Sequence, residues 1–316
     1  MAHNVGMEGM KMPGMTEYDM KSKCDGLRIS VLKVEPDGEP KAVLQMAHGM
    51  AEHKERYIGL MEYLASRGYV CIMNDHRGHG KSICFAEDLG FFGKGGAKNM
   101  VDDVHQLTLE IREQYPGLPV FLYGHSMGSL VVRCYRSIYE KDIDGLIVCG
   151  SPGRNEKAKT LAKILHAFMS IHGAHARSGI VEKMTAVSNK RFAHEGSPFA
   201  WLNSDPAEVK KYEDDPMCGY RFTLNGYHAL AKLLAGAYMP MKTAKPDMPV
   251  HFIAGADDPC LPDEAGFMDA VDQMKKNGCR KVTHKLYPGM RHEIHLERDR
   301  QQVWQDLGDV MDGWLA

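Results

Sequence analysis

No stretch of this 316-residue sequence reaches the roughly eighteen uninterrupted apolar residues that a membrane-crossing helix needs, which argues against a transmembrane span. Residues 1–15 also lack the apolar core of a secretion signal, and their methionine-rich run reads as a flexible N-terminal segment. A surplus of either charge is missing too. The 39 Lys and Arg against 41 Asp and Glu leave a formal net charge of −2, no field that would gather nucleic acid. The late basic cluster of Lys275, Lys276, Arg280, Lys281 and Lys285 reads as a solvated helix and strand margin. Short paired cysteine spacings are absent as well. Cys24, Cys71, Cys84, Cys134, Cys149, Cys218, Cys260 and Cys279 are scattered, and Cys71 and Cys149 fall in apolar runs that suit buried free thiols. All eight are therefore read as reduced and the protein as cytoplasmic. Metal-motif spacing is equally lacking: His292, Glu293 and His295 miss the i, i+4 histidine pair because position 296 is leucine, and His76 and His79 are three apart. Neither a metal nor a cofactor is expected.

What is present is an alternation of apolar runs and helical patterns. Residues 27–34, 42–46, 69–74, 120–122, 146–149, 250–254 and 282–286 read as strands, with helices over 57–67, 99–115 and 130–139 between them. Such alternation predicts an α/β fold: a mostly parallel central sheet with helices on both faces. The short turn at Pro36, Asp37 and Gly38 suggests an antiparallel edge formed by the first strands. After Gly150 the rhythm breaks for about ninety residues, then resumes at Val250. That division predicts a core of residues 16–150 and 246–316 with a helical cap, residues 151–245, inserted after the sixth strand. Within the cap, Leu161, Ile164, Leu165, Phe168 and Met169 recur at helical spacing and form one apolar face, and residues 222–234 give a second helical pattern.

Chemistry concentrates at the ends of the strands. Val120-Phe121-Leu122 runs into Gly124-His125-Ser126-Met127-Gly128, a Gly-x-Ser-x-Gly turn between strand and helix. A serine there is lifted clear of the backbone, and glycines flank it because side chains would collide with the strand and helix beside them. A carboxylate follows at the end of the 250–254 strand, as Asp257 or Asp258, and His292 follows the 282–286 strand. All three would open on one sheet edge, since each follows a parallel strand. A serine hydroxyl needs a neutral imidazole to take its proton during attack, and a carboxylate fixes the imidazole's tautomer. Ser126 is thus the candidate nucleophile and His292 the base. The residues alone leave Asp257 and Asp258 nearly equal as the acid, with Asp258 favoured. Activity through a histidine base is expected to fall on the acid side of about pH 6–7. Behind the 42–46 strand, His48-Gly49-Met50 lets the Met50 N–H point at a developing oxyanion, with the Met127 N–H as second donor. His48, Gly49, His125, Leu165, Phe168 and Met169 are the candidate substrate-contacting residues.

Four stretches resemble the monoacylglycerol lipase and lysophospholipase group of the α/β-hydrolase superfamily, sometimes filed with serine aminopeptidases. They are His48-Gly49-Met50-Ala51-Glu52-His53 with Arg56-Tyr57, Asp75-His76-Arg77-Gly78-His79-Gly80-Lys81-Ser82, Gly124-His125-Ser126-Met127-Gly128, and Arg291-His292-Glu293. The resemblance covers the chain from about residue 25 to the C-terminus and is weakest in the middle. It implies Asp258 as the acid, Met50 and Met127 as oxyanion donors, a mobile cap, and a small-molecule acyl ester as substrate. It also implies that the Asp75–Ser82 segment is structural. The cap's apolar residues leave room for transient contact with a membrane surface. Competing expectations on the same scaffold are a thioesterase, a non-catalytic binding protein, and an aminopeptidase that uses Glu208, Glu213, Asp214 and Asp215 to hold a substrate ammonium.

Overall fold

The computed structural model describes residues 14–316 apart from Ala186, Ser188 and Pro262. Residues 1–13 of the N-terminal segment lie outside the described residues. Eight strands form one sheet in the order β1-β2-β4-β3-β5-β6-β7-β8. In chain order they are β1 (Gly14–Lys21), β2 (Arg28–Glu35), β3 (Ala42–Ala47), β4 (Tyr69–Asn74), β5 (Val120–His125), β6 (Gly145–Cys149), β7 (Val250–Gly255) and β8 (Val282–Tyr287). From β4 through β8 neighbouring strands are parallel, with Leu44 opposite Phe121 and Ile253 opposite Lys285. β2 alone runs the other way, antiparallel to both β1 and β4.

Helices cover both faces, as strands buried on both sides require. On one face lie α1 (Ile58–Ser66) and α9 (Arg300–Leu315), whose Leu60, Leu64, Val303 and Leu307 pack with Met46, Met73, Tyr123 and Ile253. On the other lie α2 (Ala97–Gln114), α3 (Met127–Tyr139) and, after the insertion, α8 (Glu264–Lys276), packed with Leu122, Val148 and Phe252. The period-2 alternation of each strand thus sends Leu122 to one core and Tyr123 to the other. Gly68 ends α1 in the left-handed region (φ +91°), the conformation a side chain disfavours.

Between β6 and β7 the described residues hold helices and no strand: α4 (Ala158–His172), α5 (Gly179–Thr185), α6 (Pro206–Asp214) and α7 (Leu224–Ala237). Asp205 caps α6 by accepting from the Ala207 N–H, with Pro206 at the first helical position, and Thr223 caps α7 through the Gly226 N–H.

Three expectations need correction. Gly14 and Met15, assigned to a flexible segment, belong to strand β1, which the sequence did not reveal. β1 is an edge strand, exposed along most of its length with Met20 buried, so it is held by pairing with β2 and shows no apolar run. β2 and β3 are not neighbours; β4 lies between them, and the antiparallel edge is β1 with β2. The apolar face of α4 is also divided. Leu165 is buried and Leu161 and Met169 half-buried, but Ile164 (44%) and Phe168 (40%) face outward.

Candidate active site

β5 ends one residue before Ser126, and α3 starts one residue after it. Ser126 therefore makes the whole reversal and sits at φ +53°, a left-handed conformation unusual for a residue with a side chain. The flanking glycines permit it. A Cβ on Gly124 would lie 2.4 Å from the Gly128 carbonyl oxygen, and one on Gly128 would lie 2.2 Å from that of Ala47. Ser126 is half-buried, and its N–H donates to the Cys149 carbonyl (3.0 Å), which fixes the turn to β6.

On the same edge, the ends of β7 and β8 come together. A Cβ on Gly255 would lie 2.1 Å from the Arg291 carbonyl oxygen, so the two loops touch only because this position is glycine. The Ala256 N–H donates to Tyr287 O and the Asp257 N–H to Met290 O. Held this way, Asp258 places Oδ2 2.8 Å from His292 Nδ1, while its Oδ1 accepts the Cys260 N–H (2.8 Å). Asp257 turns outward to Arg191 (2.6 Å). The near-tie between the two aspartates is thus resolved geometrically: Asp258 faces the histidine. His292 is buried, with Trp201 from the insertion at 5.1 Å between ring centroids. Burial opposes its protonation, but the Asp258 carboxylate and Cys260 raise its pKa well above the ordinary value. Nε2 has Cys260 Sγ at 3.9 Å and is not hydrogen-bonded to Ser126 Oγ, the loose geometry common before substrate binds.

The third wall is the loop after β3. Gly49 lies against Ser126: a Cβ there would sit 3.1 Å from the serine's own Cβ. Among the described residues, the N–H groups of Met50 and Met127 have no acceptor. Met127 follows Ser126 in the chain and Met50 follows Gly49, the residue that lies against it; α3 begins at Met127, so its positive end faces the turn. Ala51 follows at φ +52°. Its carbonyl accepts two hydrogen bonds from the insertion, from the Gly219 N–H (3.0 Å) and the Tyr212 hydroxyl (3.0 Å).

Beneath these loops runs a buried ionic network that the sequence did not disclose. Glu52 Oε1 accepts from the Gly49 N–H (2.5 Å) and the Tyr57 hydroxyl (2.9 Å). Its Oε2 pairs with Arg56 (2.8 Å), which in turn makes a two-pronged pair with Glu293, the neighbour of His292. Burial would raise the Glu52 pKa, but His125 and the Arg56 cation hold it well below the usual carboxylate range. All three charged residues stand in the motif stretches, yet Arg56 and Glu293 are 237 positions apart and no spacing rule joins them.

His48 and His125, expected to contact substrate, are sealed behind the site. His48 Nδ1 meets the Gly49 carbonyl (2.8 Å) and Nε2 accepts the His76 N–H (2.9 Å). His125 Nδ1 meets the Tyr57 hydroxyl (2.9 Å) and Nε2 meets the His292 carbonyl (3.1 Å). With both nitrogens of each ring engaged and exposure of 0% and 1%, they position loops instead. Leu165 and Met169 join the apolar cluster that holds Met127 and Met50. Phe168 does not; it lines a surface groove with His172 and Ile180 in which none of Ser126, Asp258 and His292 takes part. The carboxylates considered for an ammonium are each occupied: Glu208 by Lys211, Asp214 by Lys210, Glu213 by Ser197 and Asp215 by His53. His76 and His79 are buried and packed around His48 and Phe92, and burial pushes them down to about 3 and about 4. The basic cluster near the C-terminus is solvent-facing, with Arg280 paired to Asp247, Lys275 to Asp272 and Lys285 to Asp306.

Comparison with known proteins gives a consistent set of matches. The profile described as "Serine aminopeptidase, S33" matches residues 38–299. A monoacylglycerol lipase of Mycolicibacterium smegmatis is 29% identical over 285 residues, 89% of this chain and 92% of that protein. A monoglyceride lipase homolog of Monkeypox virus is 29% identical over 276 residues, 87% of this chain and 90% of its own length. Among solved structures, a thermostable carboxyl esterase from Bacillus coagulans, in complex with glycerol, superposes with a TM-score of 0.86. It is 28% identical and covers 96% of this chain and 99% of its own.

Proposed function

Because this chain belongs to the serine aminopeptidase S33 family and has the α/β-hydrolase fold, we propose that it cleaves carboxylic esters through an acyl-enzyme. Monoacylglycerols, lysophospholipids and related acyl esters are the proposed substrates. The observation that carries this reading is the placement of Ser126, at φ +53° after β5, and of the hydrogen-bonded Asp258–His292 pair, after β7 and β8, at the same end of the parallel strands.

In the proposed reaction Ser126 Oγ attacks the ester carbonyl as its proton passes to His292 Nε2. The N–H groups of Met50 and Met127 receive the negative oxygen of the tetrahedral intermediate, each worth about 3–4 kcal/mol at the transition state. Collapse breaks the ester bond, and His292 gives its proton to the departing alcohol. Water then repeats the sequence on the acyl-enzyme and frees the acid. Asp258 holds the imidazole in the tautomer with Nδ1 protonated and stabilises the imidazolium. Residues 151–245 serve as a cap, with Leu165 and Met169 beside the acyl chain.

The relatives' names favour acyl glycerols, and the paired state of the insertion's carboxylates supports esters over peptides. Among the described residues no helix is long and apolar enough to cross a membrane. Ile164, Ile171, Ile180 and Met184 nevertheless stand exposed on α4 and α5, and we place transient contact with a lipid surface there. The eight free thiols suit a reducing, cytoplasmic setting.

The test is hydrolysis of p-nitrophenyl esters of increasing chain length beside a monoacylglycerol, a lysophosphatidylcholine and proline p-nitroanilide, with Ser126→Ala as control. Serine-dependent ester cleavage is expected. Cleavage of the anilide alone would overturn the ester reading in favour of a peptidase.

A further inference from the structure

A second group of potential ligands lies where the insertion meets the β3 loop. His53 closes that loop, and Asp215 and Cys218 stand at the end of α6 and three residues beyond it. His53 Nε2, an Asp215 carboxylate oxygen and Cys218 Sγ all lie within 4.8 Å of one another. His53 and Cys218 are buried, each 8% exposed, whereas Asp215 is partly open to solvent. We propose that His53, Asp215 and Cys218 form a zinc site that clamps the insertion onto the loop bearing Met50.

The donor set supports this assignment. One imidazole nitrogen, one carboxylate oxygen and one thiolate suit Zn²⁺, and three protein ligands with an open fourth position leave room for water on the Asp215 side. Tetrahedral zinc bonds place such donors about 3.3–3.6 Å apart. The 2.8 Å contact between His53 Nε2 and Asp215 Oδ2 would open by about half an ångström, and Cys218 Sγ would close by up to about one.

The orienting contacts are already in place. His53 Nδ1 lies 2.7 Å from Glu55 Oε2, the carboxylate–histidine pairing that turns the other ring nitrogen toward a metal. The Asp215 side chain is held by the Met217 N–H (2.8 Å), and the Asp215 carbonyl accepts the Cys218 N–H (2.9 Å), which brings the two ligands into one tight turn. Binding displaces the proton that His53 shares with Asp215 and the Cys218 thiol proton, both to solvent. His53 and Asp215 are 162 positions apart, which is why ligand spacing in the sequence carries no trace of the site. A similar group, Asp258, Cys260 and His292, belongs to the active site and serves as the internal control.

The experiment titrates Zn²⁺ into the untagged, metal-stripped chain against a chromophoric chelator, with a thermal melt alongside. One tight equivalent per chain and a raised Tm are expected. Cys218→Ser and Asp215→Asn should each weaken binding on the order of a hundredfold, and Glu55→Gln about tenfold to a hundredfold. Cys260→Ser should retain the tight equivalent. Co²⁺ loaded in place of zinc should show a thiolate charge-transfer band that Cys218→Ser removes and Cys260→Ser keeps. The absence of a tight equivalent in the unsubstituted chain overturns the proposal. So does binding that Cys260→Ser abolishes and Cys218→Ser spares, since that metal would sit on the Asp258–His292 pair.

Discussion

Replacing Arg56 with methionine should be among the most damaging single changes outside the reacting groups. Its guanidinium is 10% exposed and neutralises two carboxylates, Glu52 and Glu293, whose side chains are 2% and 3% exposed. Methionine fills much of the volume and leaves two negative charges facing one another out of water. Removing one partner of a buried ion pair costs about 3–5 kcal/mol. Loss of the guanidinium over the Tyr212 ring, 4.9 Å from its centroid, adds about 1 kcal/mol. With unfolding entropy near 2.1 cal/mol/K per residue, a loss of about 4–6 kcal/mol in a chain of this length lowers Tm by roughly 6–9 °C. Urea melts followed by circular dichroism measure the loss directly. The informative companion is Arg56→Met with Glu293→Gln, which removes one of the stranded charges. If the network acts as described, the double variant regains about 1–3 kcal/mol over Arg56→Met alone. A loss below about 1 kcal/mol for Arg56→Met, or strict additivity of the two changes, would refute the reasoning.

Asp258→Asn should lower kcat by orders of magnitude, about 10⁴-fold in comparable triads, whereas Asp257→Asn, which loses only its pair with Arg191, should stay within a few-fold. Steady-state kinetics decide, and the reverse ranking would move the acid to Asp257. The base must be neutral to accept the Ser126 proton, and His292 is raised above 6.5 by Asp258 and Cys260 against the effect of burial. The acid limb of kcat/KM should therefore have its midpoint above 6.5, the ordinary histidine value; a midpoint at or below 6.5 contradicts this. The same pair stabilises the fold below the unfolded histidine's pKa, a contribution lost as pH rises through the elevated value. Gly128→Ala drives a Cβ to 2.2 Å from the Ala47 carbonyl and should cost about 3 kcal/mol or more in a urea melt, while Gly38→Ala, with open space around it, should be neutral.

Legibility of this chain in its sequence followed the local signals. β4 at Tyr69–Asn74 coincides with the apolar run that foretold it, and the strand–turn–helix about Ser126 was marked by its glycines. The ordering of serine, carboxylate and histidine was readable because each follows a parallel strand. Between Asp257 and Asp258 the residues gave only a slight preference for Asp258, since which carboxylate turns inward depends on how the distant loops after β7 and β8 meet. β1 escaped notice because edge pairing needs no buried face. The outward turn of Ile164 and Phe168 was hidden for a different reason: helical periodicity gives an apolar stripe its direction but not the width that neighbours cover. The Glu52–Arg56–Glu293 network and the role of His125 depend on contacts between distant loops, which no window of sequence contains.

Ala51 carries a consequence for engineering. A non-glycine residue in the left-handed region costs about 1–3 kcal/mol, and here its carbonyl is held by Gly219 and Tyr212 from the other side of the entrance. The loop that presents the Met50 amide is therefore completed by the segment above it. Exchanging residues 151–245 for the equivalent segment of a relative would not simply change which acyl chain is preferred. It would release Ala51 and slacken the loop that carries Met50, the proposed oxyanion donor, so that turnover is expected to fall on every ester alike. On the proposed roles of the cap and of the Met50 loop, substrate choice and reaction are not separable modules, and transplants between relatives will need Ala51, Tyr212 and Gly219 moved as one unit.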